Sequence, residues 1–295
     1  MVKRAFCNEI LQPPGSNGRW VEGLEFLRSL GFEGVEIAPF TLGDNPTEVD
    51  FGDLRALRLV LEQVGLRCIG FHWLWSAPPG LKALHPDPSM RRKAWDTLRV
   101  LARQCAELGG EFLVLGSGKQ RTFEGMSSLE AWRLFLEELA RILPVLEDTG
   151  VALLLEPLPR SSTNFLHTLE EVVGLLQEID SPFLGAVFDF HNTTEETLSW
   201  EALVEKFGPW IRHVHFNGVN GNLPSPGNPS YTALFRALRK MGYTGWVSVE
   251  LFGEFSDPEA LLKRAWNLLS AYEEASSCEE ASSYEDTHSN ENTPS

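Results

Sequence analysis

Apolar positions along the chain keep two alternating rhythms. Short β-rich apolar runs recur at 4–10, 34–38, 67–73, 112–116, 151–156, 184–190, 213–217 and 246–251, and they predict eight strands. Each is followed by a longer stretch with apolar residues three and four apart, at 21–30, 53–64, 91–108, 129–147, 169–179, 200–207, 231–241 and 258–271. That spacing gathers apolar side chains on one face of a helix. Gly31, Gly65, Gly109, Gly150 and Gly242 stand where a helix ends before the next strand. Strand and helix alternating in this way build a parallel sheet. Eight units within the first 272 residues, about 34 residues apiece, predict a single-domain α/β fold, the (β/α)8 TIM barrel. An open doubly wound sheet needs no such regular count, and no dinucleotide-binding fingerprint follows the first strand.

The rhythm stops at Tyr272. Residues 273–295 hold seven acids, no Lys or Arg and few large apolar side chains, so this segment cannot bury enough surface to offset the entropy of ordering. The expectation is a barrel over 1–272 and a disordered acidic tail over 273–295. Otherwise the composition, 43% hydrophobic and 22% charged, is that of a soluble globular protein. The formal charge is −16, and −9 remains on 1–272 once the tail's seven acids are set aside. Such a surface repels nucleic acid phosphates and anionic lipid, so neither partner is expected. Cys7, Cys68, Cys105 and Cys278 are too scattered for a zinc ribbon or a redox pair. The opening residues do not read as a signal peptide and no run of about 18 apolar residues occurs, which gives a cytoplasmic protein with reduced thiols as the expectation.

In a parallel barrel every strand's C-terminal end faces one mouth, where the chemistry gathers. The polar residues at those ends are Glu36, His72, Glu156, Asp189 with His191, His213 with His215, and Glu250. Glu156, Asp189, His215 and Glu250 close four successive strands. One acid at such a place serves equally as a helix cap or an ion-pair partner. Three carboxylates in one mouth, however, repel one another and raise their own pKa values unless a cation sits among them. Oxygen ligands with a single imidazole suit one hard or borderline divalent ion such as Mn²⁺, Mg²⁺ or Co²⁺. His213 and His215 are two apart and so point to the same side of their strand. His215, nearer the mouth, is the better ligand; His213 supports it, meets substrate, or packs in the core. His72 and Trp73 can line a sugar-sized pocket, since aromatic faces pack on the C–H surface of a polyol. Gly116 to Lys119 suggests a phosphate loop, but Leu113 and Gln120 break the Walker pattern. No HExxH, GxSxG or Cys-His signature supports acyl transfer.

The stretches GFEGVEI (31–37), LLLEPLPRSSTNFLHT (153–168), FDFHNTTEE (188–196) and the whole of 213–250 carry a resemblance. The chain resembles the xylose isomerase-like TIM barrel superfamily, particularly its sugar isomerase/epimerase group, which includes D-tagatose 3-epimerase and hydroxypyruvate isomerase. The resemblance spans about residues 5–271. It implies one divalent metal held by a Glu, an Asp, a His and a second Glu from strands 5 to 8, which fall on Glu156, Asp189, His215 and Glu250. It also implies the activity, that of a sugar or polyol isomerase or epimerase. The metal stabilises the enediolate formed when a proton leaves the carbon beside a carbonyl, and Glu156 and Glu250 are the catalytic pair on opposite faces of the sugar. A proton lost to one and supplied by the other inverts the carbon, whereas return to the neighbouring carbon interconverts aldose and ketose. His191, His72, Trp73, His213, Glu36 and Arg160 are the candidates for substrate contact. Members of the group often form homodimers or homotetramers, and the same is expected by analogy.

Departures from the group's pattern bear on substrate. Ser162 stands where tagatose 3-epimerase-like members have a further Glu, and Gly221 where they have an Arg. Their strand 6 Asp and His are three apart, whereas Asp189 and His191 are two apart. Losing a carboxylate and a guanidinium removes charge-assisted contacts to sugar hydroxyls, so metal chemistry is kept while ketohexose recognition is changed. Three other activities share the fold: a dehydratase of the inosose or dehydroshikimate type, an endonuclease IV-like nuclease, and a non-catalytic ligand-binding protein. The nuclease is disfavoured by the acidic body and the sparse histidines.

Overall fold

Parallel strands cannot be joined by a tight turn, and in this chain a helical crossover lies between each strand and the next. The structure, a computed structural model, describes residues 2–11, 19–253 and 255–288. Its strands are β1 Lys3–Cys7, β2 Gly34–Ile37, β3 Arg67–Phe71, β4 Phe112–Leu115, β5 Ala152–Leu155, β6 Leu184–Asp189, β7 Ile211–Phe216 and β8 Trp246–Val249. They pair in sequence order, and β1 pairs in parallel with β8, so the sheet closes into the expected TIM barrel. The helices are α1 Arg19–Leu30, α2 Phe51–Val64, α3 Pro88–Glu107, α4 Gly118–Arg121, α5 Ser128–Thr149, α6 Leu169–Ile179, α7 Trp200–Phe207, α8 Pro229–Lys240 and α9 Pro258–His288. Short polar side chains start most of them: Asp50, Asp87, Ser127, Thr168, Ser199 and Asn228 each accept a backbone N–H of the first turn. Gly65 and Gly150 stop α2 and α5 in the left-handed region, at φ 82° and 70°.

The core has two parts. Ala5, Ile69, Phe112, Val114, Ala152, Leu154, Val187 and Trp246 form a compact cluster contributed only by strands. The larger cluster lies between the barrel and the apolar stripes of its helices. At the N-terminal ends of the strands, the cations of Lys3 and Arg67 lie 5.2 and 4.7 Å from the Trp246 ring centroid. Cys7, Cys68 and Cys105 are buried free thiols. Among the described residues no helix is long and apolar enough to cross a membrane.

Three boundaries differ from the sequence reading. The first strand stops at Cys7, not residue 10, because Asn8 turns away. Its side chain accepts the Ala38 N–H and donates to the Thr41 hydroxyl, tying two loops of the mouth together. The segment after β4, expected to be a loop, contains the single turn α4. The folded body also continues past Tyr272. Glu273 accepts from the Val2 N–H and from the Arg4 guanidinium, and buried Ser276 accepts from Arg239. What differs is the last helix, expected over 258–271, which runs on past Tyr272 as α9. Residues 289–295 lie outside the described residues.

Candidate metal centre

Closure sets the C-terminal ends of β5 to β8 side by side, and four polar groups ride on them. Glu156 follows β5, Asp189 ends β6, His215 is penultimate in β7 and Glu250 follows β8. Their donor atoms all lie within 4.8 Å of one another, and all four residues are buried. Nδ1 of His215 stands 3.1 Å from Oε2 of Glu250, 3.3 Å from Oε1 of Glu156 and 3.9 Å from Oδ2 of Asp189. Neither that nitrogen nor Oε1 of Glu156 makes a well-formed hydrogen bond. Buried polar atoms rarely go without a partner, so two in one cluster point to a ligand between them. Burial, then the charges of Glu156 and Glu250, push the Asp189 carboxyl well above its ordinary range. Burial acts against charge on His215, but Glu250 and Glu36 outweigh it and hold its pKa well above the usual imidazole value. Three carboxylates and one imidazole aimed at a common point suit a hard or borderline divalent ion, whose charge would relieve the repulsion that raises Asp189.

Neighbouring side chains set these groups in place. Oδ1 of Asp189 accepts the His191 N–H at 2.8 Å, and Oδ2 accepts the Asn192 amide at 2.7 Å. The Trp73 indole donates to Oε1 of Glu250 at 3.2 Å. Gly116 gives Glu156 its room, since a Cβ there would stand 2.2 Å from Oε2. Trp73 and Ser117 both take left-handed backbone, φ 54° and 46°, a conformation that non-glycine residues hold only when the surroundings enforce it.

A cavity of about 510 Å³ opens over the cluster, lined by Glu156, His215 and Glu250 together with His72, Trp73 and His191. Three of the expected substrate-contact residues therefore reach it. His72 hydrogen-bonds through Nε2 with Glu9 at 2.5 Å; burial disfavours its charge, but Glu9 outweighs this and raises its pKa to about 9. The His191 ring packs on Phe252 at 5.1 Å between centroids. The other three do not line the cavity among the described residues. Arg160 is two-thirds exposed and pairs with Glu195 at 3.3 Å. Glu36 and His213 are wholly buried against each other at 2.9 Å, and the His213 ring packs at a tilt on Phe112 of the strand-only cluster. Burial raises the Glu36 carboxyl, yet His213 and His215 prevail and hold it well below the usual range; burial lowers the pKa of His213. Asn192, Phe252 and Glu9 were absent from the sequence candidates. Asn192 had a signal, because it stands three residues after Asp189, the spacing at which the resemblance places a His. Phe252 and Glu9 had none, since their approach depends on how two loops fold.

The family described as Xylose isomerase-like TIM barrel matches residues 24–272. A probable ketose 3-epimerase from Synechocystis is 27% identical over 257 residues, covering 83% of this chain and 83% of that protein. Fructoselysine 3-epimerase from Escherichia coli O157:H7 is 21% identical over 244 residues, covering 80% of this chain and 86% of that one. Among solved structures, an L-ribulose 3-epimerase superposes with a TM-score of 0.81 at 19% identity over 100% of both chains. These likenesses span nearly the whole barrel, mouth included.

Proposed function

Because the chain belongs to the xylose isomerase-like TIM barrel family, we propose that it is a sugar or polyol isomerase or epimerase that works with one divalent metal ion. The observation that carries this reading is the convergence of Glu156, Asp189, His215 and Glu250 under an open cavity, with Nδ1 of His215 and Oε1 of Glu156 facing one another without a well-formed hydrogen bond. The curated relatives named as 3-epimerases support the same class. Bound there, a divalent ion supplies Lewis acidity toward a carbonyl and its neighbouring hydroxyl, and Mn²⁺ is the ion we assign, with Mg²⁺ and Co²⁺ as substitutes.

The chain's own residues do the rest. Glu156 and Glu250 are the acid–base pair at the carbon beside the carbonyl: one, as carboxylate, removes its proton, and the other, as carboxylic acid, supplies a proton to the opposite face, which inverts that carbon. Trp73 fixes Oε1 of Glu250, so its other oxygen is turned to the cluster. His72, Trp73 and His191 line the space the sugar occupies, with Asn192 anchoring Asp189 beside them. We assign the protein to the cytoplasm and to carbohydrate metabolism.

The test is metal analysis of the purified protein, followed by incubation of the Mn²⁺-loaded enzyme with ketoses, 3-keto sugars and inososes in D₂O. Recovery of an isomer carrying deuterium at one carbon is expected, and Glu156→Gln and Glu250→Gln should each slow that exchange by about 10²- to 10⁴-fold. A dehydrated product would make the protein a lyase. Unaltered turnover in both variants would refute the roles given to the glutamates.

A further inference from the structure

Behind the converging groups lies a carboxylate that lines no part of the cavity. Glu36, third residue of β2, is 0% exposed and has three imidazoles around it. His213 approaches Oε2 through Nε2 at 2.9 Å, His215 approaches Oε1 through Nε2 at 3.1 Å, and Nδ1 of His72 stands 3.6 Å from the same oxygen. The glutamate and all three histidines are at most 1% exposed, so water does not compete for these contacts.

An imidazole offers two nitrogens, and a neutral ring carries its proton on only one. Hydrogen bonding to a carboxylate, which can only accept, keeps a proton on the bonded nitrogen, so the other nitrogen is the one that gives up its proton when a metal ion binds. For His215 the bonded nitrogen is Nε2 and the other is Nδ1, which faces Glu156, Asp189 and Glu250 and makes no well-formed hydrogen bond. Rotation of the Glu36 carboxylate is restrained in turn, because His213 binds its second oxygen and packs on Phe112 at 4.5 Å between centroids.

We propose that Glu36 is a positioning residue: it holds His215 as the Nε2–H tautomer and fixes its ring, so that Nδ1 is presented to the divalent ion. The inference rests on the metal-centred reading above and adds a residue to it that touches neither ion nor sugar. Its signature is a change in metal affinity and in the protonated nitrogen of one imidazole, neither of which follows from a purely packing role.

Glu36→Gln keeps the size but replaces one acceptor oxygen with a donor, so His213 and His215 cannot both donate to it. Glu36→Asp keeps the charge and withdraws it by one methylene. Mn²⁺ affinity is measured by calorimetry for the full chain and both variants, alongside circular dichroism to score folding. The expectation is binding about 10- to 100-fold weaker in Glu36→Gln, with Glu36→Asp in between. In the full chain labelled with ¹⁵N-histidine and loaded with Mg²⁺, the His215 proton should lie on Nε2. A folded Glu36→Gln that binds Mn²⁺ within about twofold of the parent overturns the proposal. A His215 proton on Nδ1 overturns it too, and decides the matter if the variants fail to fold. Failure of the parent chain to take up any divalent ion is a separate result, and it sinks the metal-centred reading itself.

Discussion

At Gly116 there is space for a hydrogen atom and nothing larger. A methyl group there would lie 2.2 Å from Oε2 of Glu156, so Gly116→Ala must push that carboxylate out of the cluster. The backbone at this position is not left-handed, and the fold should survive. Displacement of a catalytic group by about an ångström costs on the order of 10²-fold in rate, and that loss is expected in kcat/KM with little change in thermal denaturation. Unchanged kinetics would show that Glu156 is not where the chemistry occurs. The glutamate could be read from sequence because it interrupts an apolar strand at its last position, where a charge has no packing role. Glu36 interrupts a strand in the same way, and the sequence reading sent it to the mouth beside Glu156. What separates the two is depth: Glu36 falls within β2 and meets His213, while Glu156 falls just beyond β5 and meets the cavity. A shift of one or two residues along a strand is below the resolution of hydrophobic periodicity.

Elements were easier to read than depths. Each strand and helix recurs close to its expected place because alternation between buried sheet and amphipathic helix is a property of many residues together. What escaped were features set by single side chains, such as the turn at Asn8 that ends β1 early and the one-turn α4. Helix starts are also single-residue devices, and that of α3 carries a pH signature. Asp87 accepts the Ser89 N–H at 2.7 Å, and chiefly this hydrogen bond lowers its carboxyl pKa. The folded value lies below that of the unfolded chain, so the contribution is present above about pH 3.9 and is lost as pH falls through the lower folded value. Asp87→Asn retains an accepting oxygen without the titration. Urea denaturation between about pH 3 and 5 should therefore show a shallower loss of stability in the variant than in the parent. Parallel curves for the two would show that the cap contributes no acid-sensitive stability.

For the molecule as a whole, the acidic end of the chain is less separable than its composition suggests. Glu273 of α9 meets Arg4 of β1 at 2.7 Å, and the same guanidinium lies 4.2 Å from the Trp266 ring centroid, so the last helix is pinned to the first strand. A chain ending at Tyr272 leaves Arg4 without its carboxylate and should be about 2 kcal/mol less stable than one ending at Ser277. Equal denaturation midpoints would show that the contacts beyond Tyr272 add no stability. The opposite pole is organised differently. Trp246 is buried at the start of β8, the end remote from the mouth, with Lys3 and Arg67 over its ring, and none of these three lines the cavity. The scaffold is thus anchored by a keel that takes no part in recognition. Loops on the far side are free to diverge, in evolution or at the bench, and a new sugar preference can be grafted there while the hull stays watertight.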